Sequence, residues 1–206
     1  MKHTLRNVIA SAAVIAALYS APRAEADGSV EVAAGHKSTA IDLKATSEVA
    51  PRITLFGRYN TTTDYHNNVN HFGLLNGSIL LIDGIEAVAQ AQFITDVGVV
   101  PRAGIDGYIS LGDFNLFAVG TVKCSKDTDA ECVASVEYRP KINESWSGVF
   151  RAENISNFGK DGHTFSMQQL RTGLKHDSLE FGVAGDLFEA KRTLEHSVGG
   201  YIKIDF

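Results

Sequence analysis

The chain alternates between apolar and polar residues along much of its length, and its last segment shows the pattern most clearly. Ile202, Ile204 and Phe206 share one phase, and Lys203 and Asp205 share the other. A period of two is typical of a β-strand with one apolar face and one polar face. The alternation therefore predicts that the chain ends in a strand whose last residue is aromatic.

Two alternating segments flank Gly112-Asp113 and predict a β-hairpin. A two-residue turn at this position places Leu111 opposite Phe114, and Tyr108 opposite Phe117. The same register sorts both strands at once into an apolar face and a more polar face, and such sorting is what fixes strand pairing. We therefore predict an antiparallel pair that runs from residue 103 to residue 122.

Two further turns predict hairpins of the same kind. One lies at His176-Asp177, and the other lies at Asp83-Gly84, which is a favoured sequence for a two-residue turn. The predicted registers place Leu174 opposite Leu179, and Leu80 opposite Ala87.

Over the whole chain, the pattern predicts an all-β fold of about twelve antiparallel strands that close into a barrel. The predicted segments are 28–36, 38–46, 51–61, 69–82, 85–95, 100–111, 114–124, 132–139, 145–155, 164–175, 178–188 and 197–206. Most have the ~9–11 residues that a tilted strand needs to cross a bilayer. The first two segments are the least regular, and without them ten strands would remain.

Residues 1–26 have the features of a cleaved secretory signal peptide. Lys2 and Arg6 give a positive start, an apolar run follows from residue 8 to residue 19, and Ala24-Glu25-Ala26 is a small-x-small cleavage site. A short anchoring helix is the alternative, but the run is well below the ~20 apolar residues that span a bilayer. We therefore predict an exported mature chain, residues 27–206, that forms a single domain.

The predicted connections differ in length on the two sides of the barrel. Those after strands 4, 6, 8 and 10 are short, whereas those after strands 3, 7, 9 and 11 are longer and polar, at 62–68, 125–131, 156–163 and 189–196. Short turns on one side and longer loops on the other are typical of transmembrane β-barrels. A soluble exported barrel, with its apolar face inward, is the competing fold. The membrane barrel is also favoured by a predicted aromatic girdle at Phe114, Tyr138, Trp146 and Phe206.

The alternating last strand with its aromatic carboxyl terminus resembles the end of bacterial outer-membrane β-barrels. The count of about twelve strands in a short chain resembles the small monomeric porins. The resemblance implies an outer-membrane location, a surrounding of outer-membrane lipid, and insertion by the barrel assembly machinery. Ile202, Ile204 and Phe206 would then form the assembly signal.

In a membrane barrel, the polar phase of the strands faces the lumen. The charged residues predicted to line it are Arg58, Arg102, Asp106, Lys123, Glu137, Arg151, Arg171, Glu180 and Asp186. Charges of both signs argue against a strongly anion-selective pore. We predict a narrow porin or diffusion channel for small hydrophilic solutes, without a cofactor. The alternatives are a closed structural or surface-interaction barrel and an outer-membrane hydrolase.

Composition and spacing argue against other functions. A net charge of −5 argues against nucleic acid as a partner. Five histidines fall at or near the predicted longer loops, namely His36, His66, His71, His163 and His196. No pair of them has the close spacing of a zinc site, so we predict no metal. For a hydrolase, the candidates are Asp64, His66 and His71 in or beside the longer loop 62–68, and His163 with Ser166, but there is no nucleophile elbow. Ser166 and His163, three residues apart on a strand, are predicted to face opposite sides.

Cys124 and Cys132 flank the predicted loop 125–131, and an extension of the hairpin register places them opposite each other. Exported chains meet an oxidising compartment, so a lone pair of cysteines predicts a disulfide. Metal binding by the two thiols and nearby acidic residues is the alternative.

Overall fold

A computed structural model describes residues 26–66, 68–125, 127, 129–190 and 193–206. The predicted signal peptide, apart from Ala26, lies outside this part of the chain. The strands are β1 (Ala26–Gly35), β2 (Ser38–Ala50), β3 (Ile53–Asp64), β4 (Val69–Ile82), β5 (Ile85–Ile94), β6 (Gly98–Leu111), β7 (Phe114–Lys123), β8 (Ala130–Tyr138), β9 (Trp146–Gly159), β10 (Gly162–His176), β11 (Leu179–Ala190) and β12 (Thr193–Asp205). In these residues we find no helix that is long and apolar enough to cross a membrane.

The strands form a closed antiparallel barrel, which confirms the predicted fold class and the count of twelve. Each strand pairs with the next one, and β1 pairs with β12. Closure removes the free edges that an open sheet would leave. The start of β1 and the end of β12 lie at one end of the barrel, which we call the terminus end. The connections after the even-numbered strands lie at this end, and those after the odd-numbered strands lie at the other, distal end.

The register of the β6–β7 hairpin is the predicted one. Leu111 pairs with Phe114, Tyr108 pairs with Phe117, and the register continues without a shift along the hairpin. Gly112 has a φ of 63°, a left-handed conformation that glycine adopts without steric cost. The turn sequence and the pattern of the two faces agree at this hairpin, so the sequence alone was enough to predict its register.

The β10–β11 register differs from the prediction by two residues. Leu174 pairs with Phe181 rather than with Leu179, because the turn lies at Asp177-Ser178. Asp177 takes the positive φ of 51° that this turn needs, and aspartate tolerates that conformation better than most residues. A shift of two keeps every side chain on its predicted face, so the face pattern could not reveal the error.

The β4–β5 hairpin contains a β-bulge that the prediction lacked. The turn lies at Asp83-Gly84 as predicted, but the register shifts between Leu80 and Ile82. Leu80 therefore pairs with Glu86, and Ile79 pairs with Ala87. Because of the extra residue, the side chains of β4 beyond the bulge lie on the face opposite to the predicted one.

Connection lengths do not alternate as predicted. The strands extend into the predicted loops: β9 and β10 leave only residues 160–161 between them, β3 and β4 reach Asp64 and Val69, and β11 and β12 reach Ala190 and Thr193. The longest connection, 139–145, lies at the terminus end. Connection length therefore does not distinguish a membrane barrel from a soluble one in this protein.

The apolar face of the sheet points outward. Val99, Leu75 and Ile105 are 69%, 60% and 60% exposed, whereas Glu180 and Arg171, on the other face, are 0% and 4% exposed. A soluble barrel has the reverse arrangement, because its apolar face forms the core. Alternation could not distinguish these two cases, and the three-dimensional structure does.

The apolar band stops before the distal end on β9 and β10. There the outward positions are polar: Asn154 and Ser156 pair across the strands with Gln168 and Ser166. Their side chains bind one another, with 3.1 Å from Asn154 Nδ2 to Ser156 Oγ and 3.1 Å from Gln168 Nε2 to Ser166 Oγ. The distal end of the barrel thus extends beyond its apolar band.

Aromatic rings stack on the outer face near the terminus end. The ring centroids of Phe114 and Tyr138 are 4.3 Å apart, and those of Tyr138 and Phe150 are 6.2 Å apart. Trp146 packs against Phe181 edge-on at 6.3 Å. The cluster has the position and composition of an interfacial girdle.

The predicted disulfide is absent, because the β7–β8 register does not place Cys132 opposite Cys124. Both cysteines are free and exposed. Cys132 pairs with Gly120, four residues before Cys124. Four residues of strand span about 13 Å, whereas a disulfide needs α-carbons within about 7 Å.

We therefore expect Cys124 and Cys132 to be alkylated without a reductant, with no loss of two hydrogens in the intact mass. The matched variant combines Gly120→Cys with Cys124→Ala. Its new thiol lies opposite Cys132, so this variant should oxidise and show linked peptides in non-reducing mass spectrometry. Linked peptides around residues 124 and 132 in the unmodified protein would disprove the register.

Candidate functional site: the barrel lumen

The strand registers place all the charged residues that were predicted to line the lumen on the inner face of the sheet. They belong to β3, β6, β7, β8, β9, β10 and β11, and are Arg58, Arg102, Asp106, Lys123, Glu137, Arg151, Arg171, Glu180 and Asp186. Their role in a pore stays a prediction, because inward orientation alone does not make a pore.

An ion pair crosses the full width of the lumen. Arg58 on β3 donates to Glu153 on β9 at 2.8 Å. In a barrel of twelve strands, β3 and β9 lie on opposite walls. Arg58 also makes a bidentate contact with Asp42 on β2, with two distances of 2.9 Å. This fork geometry is the strong form of an arginine–carboxylate contact.

A second group of charges lies on the wall formed by β9 to β12 and β1. Glu31 accepts from both Arg151 and Arg171, with 2.6 Å from Arg171 Nε to Glu31 Oε1. Arg171 also donates to Asp186 at 2.7 Å. One carboxylate therefore holds two guanidinium groups, and a further carboxylate compensates one of them.

The long connection after β8 contributes an arginine to this group. Arg139 lies 2.6 Å from Glu137 and 3.2 Å from Glu180, which is fully buried. Burial opposes the charge of Arg139, but the hydrogen bond that Arg139 donates to Glu137 and the negative charge of Glu137 outweigh burial and raise the pKa of the guanidinium. The group thus stays charged and pairs with Glu180 at the terminus end.

We call these charges together the lumen ion-pair network. Its members are Glu31, Asp42, Lys44, Arg58, Glu137, Arg139, Arg151, Glu153, Arg171, Glu180 and Asp186. Inward residues outside the network are buried too, including Val88 on β5 and Tyr201 on β12. Side chains that lined a wide water-filled bore would be exposed to it. The interior is packed at this level.

Arg102, one of the predicted lumen residues, is held outside the network. Its guanidinium lies 2.5 Å from Asp129 in the β7–β8 connection and donates to Thr121 Oγ1 at 2.9 Å. Arg102 is 3% exposed. Its charge is therefore neutralised locally and does not project into the lumen.

A cavity of about 630 Å³ occupies the distal half of the lumen. Lys37, Asp64 and Glu195, near the distal connections, lie at its mouth, so it opens at the distal end. Its wall is largely apolar and includes Phe56, Phe72, Leu74, Ile94, Phe165 and Phe188. Arg58, a member of the ion-pair network, also lines the cavity. We call this space the distal cavity.

Sequence reasoning missed the apolar wall of the distal cavity. Phe72 and Ile94 pair with each other, and both occupy the inward, otherwise polar phase of their strands. A signal was present, because bulky apolar residues recur in the polar phase near the distal ends of several strands. The inward phase of the strands therefore carries bulky apolar residues as well as charges.

A smaller cavity of about 200 Å³ lies along β6 to β9, and Tyr108, Asn115, Glu137 and Arg151 contribute to its wall. Phe117 lines both cavities. The ring of Phe117 is therefore part of the wall of both spaces.

The histidines at the distal end are dispersed. The ring centroids of His36 and His196 are 5.5 Å apart, while His71 binds the hydroxyl of Tyr59 at 2.8 Å on another wall. Within the part of the chain that is described, no group of three or more His, Cys, Asp or Glu side chains could hold a metal.

His163 and Ser166 lie on the same side of the sheet, contrary to the prediction. A register shift between His163 and Phe165 adds one residue, so both side chains face outward beside Phe158 and Ser156, respectively. Ser166 is hydrogen-bonded to Gln168 and His163 contacts the ring of Phe158 at 5.7 Å. The two residues that we had considered for a hydrolase therefore make separate contacts.

Comparison with known proteins supports the fold. No family model and no curated sequence matches this chain. Its structure is similar to that of the NanC porin, with a TM-score of 0.58 and 11% identity over 88% of this chain and 98% of that one. It is also similar to LpxR from Salmonella typhimurium, with a TM-score of 0.50 and 7% identity over 86% and 99%. At such identities the likeness concerns the fold alone. The chain has the fold of an outer-membrane β-barrel like that of small porins.

Removal of the arginine that crosses the lumen should destabilise the barrel. In Arg58→Met, Asp42 and Glu153 lose their main partner, although Lys44 remains 3.5 and 3.7 Å from them. We expect a loss of about 3 kcal/mol in the free energy of unfolding, the lower end for a broken buried pair. Urea unfolding in lipid vesicles measures it.

Lys141→Met is the matched control, because it removes one positive charge from an exposed position in the connection after β8. Its effect should stay within about 0.5 kcal/mol. Equal stability of the Arg58 and Lys141 variants would show that the ion pair across the lumen contributes nothing.

Proposed function

We propose that this protein is a barrel of the bacterial outer membrane that binds a small solute in its distal cavity and keeps the bore closed below it. The observation that carries the proposal is the lumen ion-pair network, with Arg58 and Glu153 joined at 2.8 Å between opposite walls.

The location rests on the inverted faces of the sheet. Exposed leucine, isoleucine, valine and phenylalanine side chains surround the barrel, and burial in lipid is the arrangement that removes them from water. The stacked rings of Phe114 and Tyr138 lie near the terminus end, where an interfacial girdle belongs. With the terminus end in the periplasm, the distal cavity opens to the outside of the cell.

Closure rests on burial and pairing. A solute that crossed the network would have to separate Arg58 from Glu153, and Glu31 from its two arginines. Separating buried, hydrogen-bonded charges is costly, because each charge would be left without a partner in a medium of low polarity. The network therefore closes the lumen on the terminus side of the distal cavity.

Solute binding rests on the cavity itself. Its volume of about 630 Å³ lies within the ~300–1,000 Å³ that is usual for ligand sites. Such sites also combine apolar side chains with polar ones, and this cavity has both. An open hydrophilic pore has no need of the phenylalanines that line this space.

A narrow diffusion channel for small hydrophilic solutes is the second candidate, and one observation favours it. Phe117, two strands from Glu153 in the same cross-strand row, lines both the distal cavity and the smaller cavity. Displacement of this ring would extend the distal cavity toward the terminus end.

Deletion of Phe206 tests the location and the assembly signal. The last strand should then lose the outward aromatic end by which outer-membrane barrels are recognised for insertion, so much less protein should reach the outer membrane. The readout is fractionation with heat-modifiable migration on SDS gels. Asp205→Asn is the control, because Asp205 pairs with Lys203 inside the barrel. Equal yields of the two variants, or a soluble periplasmic wild type, would refute this proposal.

Single-channel recording in planar bilayers separates the two candidates. The closed barrel should give no steady current, either as wild type or as Phe117→Ala. A double variant, Arg58→Ser with Glu153→Ser, removes the bridge across the lumen and should conduct, provided that its heat-modifiable migration shows a folded barrel. A conducting wild type whose current rises in Phe117→Ala would replace the closed barrel with the channel.

A further inference from the structure

The distal cavity has two different walls. On β7 to β11, the lining residues are apolar apart from Glu131 and Asn157. On the opposite wall, formed by β3, β4 and β5, carboxamide side chains recur among the apolar ones. They are Asn60, Asn70, Asn76, Gln90 and Gln92. A ligand in the cavity therefore meets an apolar surface on one side and amide groups on the other.

Two of these amides offer their N–H groups to the cavity. Asn76 Oδ1 and Gln90 Oε1 are buried, and neither has a partner among the residues that the structure describes. Because both residues line the cavity, the part of each amide that reaches it is the nitrogen, which donates to no other described residue. An amide nitrogen carries two N–H donors and no acceptor. This part of the wall therefore presents donors only.

The two donor groups lie close enough to act on one atom of a ligand. Asn76 and Gln90 are the innermost lining residues of β4 and β5, and they pair directly across the two strands. The β-carbons of directly paired residues are about 5 Å apart, so both amide nitrogens can reach the same oxygen. A carbonyl oxygen accepts two hydrogen bonds and donates none, which matches two neighbouring N–H groups.

The charges around the two amides favour an uncharged ligand. Arg58 and Arg102, the nearest arginines, are each bound to carboxylates of the barrel and so are not available to an anion. Glu131, which accepts a hydrogen bond from Gln92 at 2.6 Å, adds a negative charge to the lining that repels an anion. A cation, in turn, would meet N–H donors where it needs acceptors.

The opposite wall fits the apolar remainder of such a ligand. Val133, Ile155 and Met167 belong to its lining on β8, β9 and β10. An apolar group is stabilised against these side chains because it leaves water. A sugar carries hydroxyl groups around its ring, and those that faced this wall would lose water without gaining a partner.

We propose that the distal cavity binds an uncharged carbonyl compound, whose oxygen accepts hydrogen bonds from Asn76 and Gln90 and whose apolar body lies against Val133, Ile155 and Met167. A ketone, an ester or a lactone with a hydrocarbon or aromatic body has this chemistry. The inference deepens the proposed solute binding and rests on it.

The test compares three probes that share a phenylethyl body: 4-phenyl-2-butanone, 3-phenylpropionate and butylbenzene. The second carries a charged carboxylate in place of the acetyl group, and the third has no oxygen. Isothermal titration with the full barrel in lipid nanodiscs gives their affinities, with empty nanodiscs as the blank. We expect the ketone to bind more tightly than the carboxylate. In Gln90→Leu and in Asn76→Leu the ketone should weaken by about threefold to tenfold, the effect of one neutral hydrogen bond, while butylbenzene should not weaken.

Gln168→Leu is the matched control, since it removes an amide from the outer face of β10 and should leave ketone binding unchanged. Heat-modifiable migration verifies that each variant is folded. Tighter binding of 3-phenylpropionate than of the ketone, or the same ketone affinity in wild type, Gln90→Leu and Asn76→Leu, would overturn the carbonyl site and leave solute binding standing. Equal weakening of the ketone and butylbenzene would overturn it too, because the loss of an N–H donor does not weaken a hydrocarbon. If none of the three probes binds to the wild type, both proposals fail.

Discussion

Pairing of charges across the lumen is the interaction on which the rest of this barrel depends. The sheet turns its apolar face outward, so its polar face has to fill a narrow interior. Isolated charges there would be very costly, and Arg58 and Glu153 avoid that cost by meeting between opposite walls. Glu31, bound by Arg151 and Arg171, does the same between β1, β9 and β10. The polar core of this barrel thus takes the place of a hydrophobic core.

The same pairing divides the lumen into two regions with different roles. At the level of the network, most charges have a partner, and the side chains are packed. Toward the distal end, bulky apolar residues such as Phe72 and Phe165 occupy the inward phase and leave a cavity rather than fill it. A solute in that cavity would meet apolar walls and, at depth, the amide side chains of Asn76 and Gln90.

The predictability of the fold followed from how many independent signals specified each hairpin. At β6–β7, the turn sequence and the two faces agreed, and the register was right. At β10–β11, only the faces constrained the pairing, and a shift of two preserves them, so Leu174 was assigned the wrong partner. The bulge after Leu80 and the offset of Cys132 from Cys124 left no sequence signal of their own. Of the site, orientation was predictable, whereas pairing across the lumen was not.

Contacts across the lumen join strands that are far apart in sequence, and this explains why alternation could not predict them. Arg58 and Glu153 lie 95 residues apart, and their meeting depends on barrel width, strand tilt and side-chain length together. Burial also changes the role of a charged side chain. In a wide bore, Arg171 would set the local potential for a passing ion, but between Glu31 and Asp186 it holds three strands together. The polar groups that remain for a solute are therefore those of the distal cavity that take no part in these ion pairs.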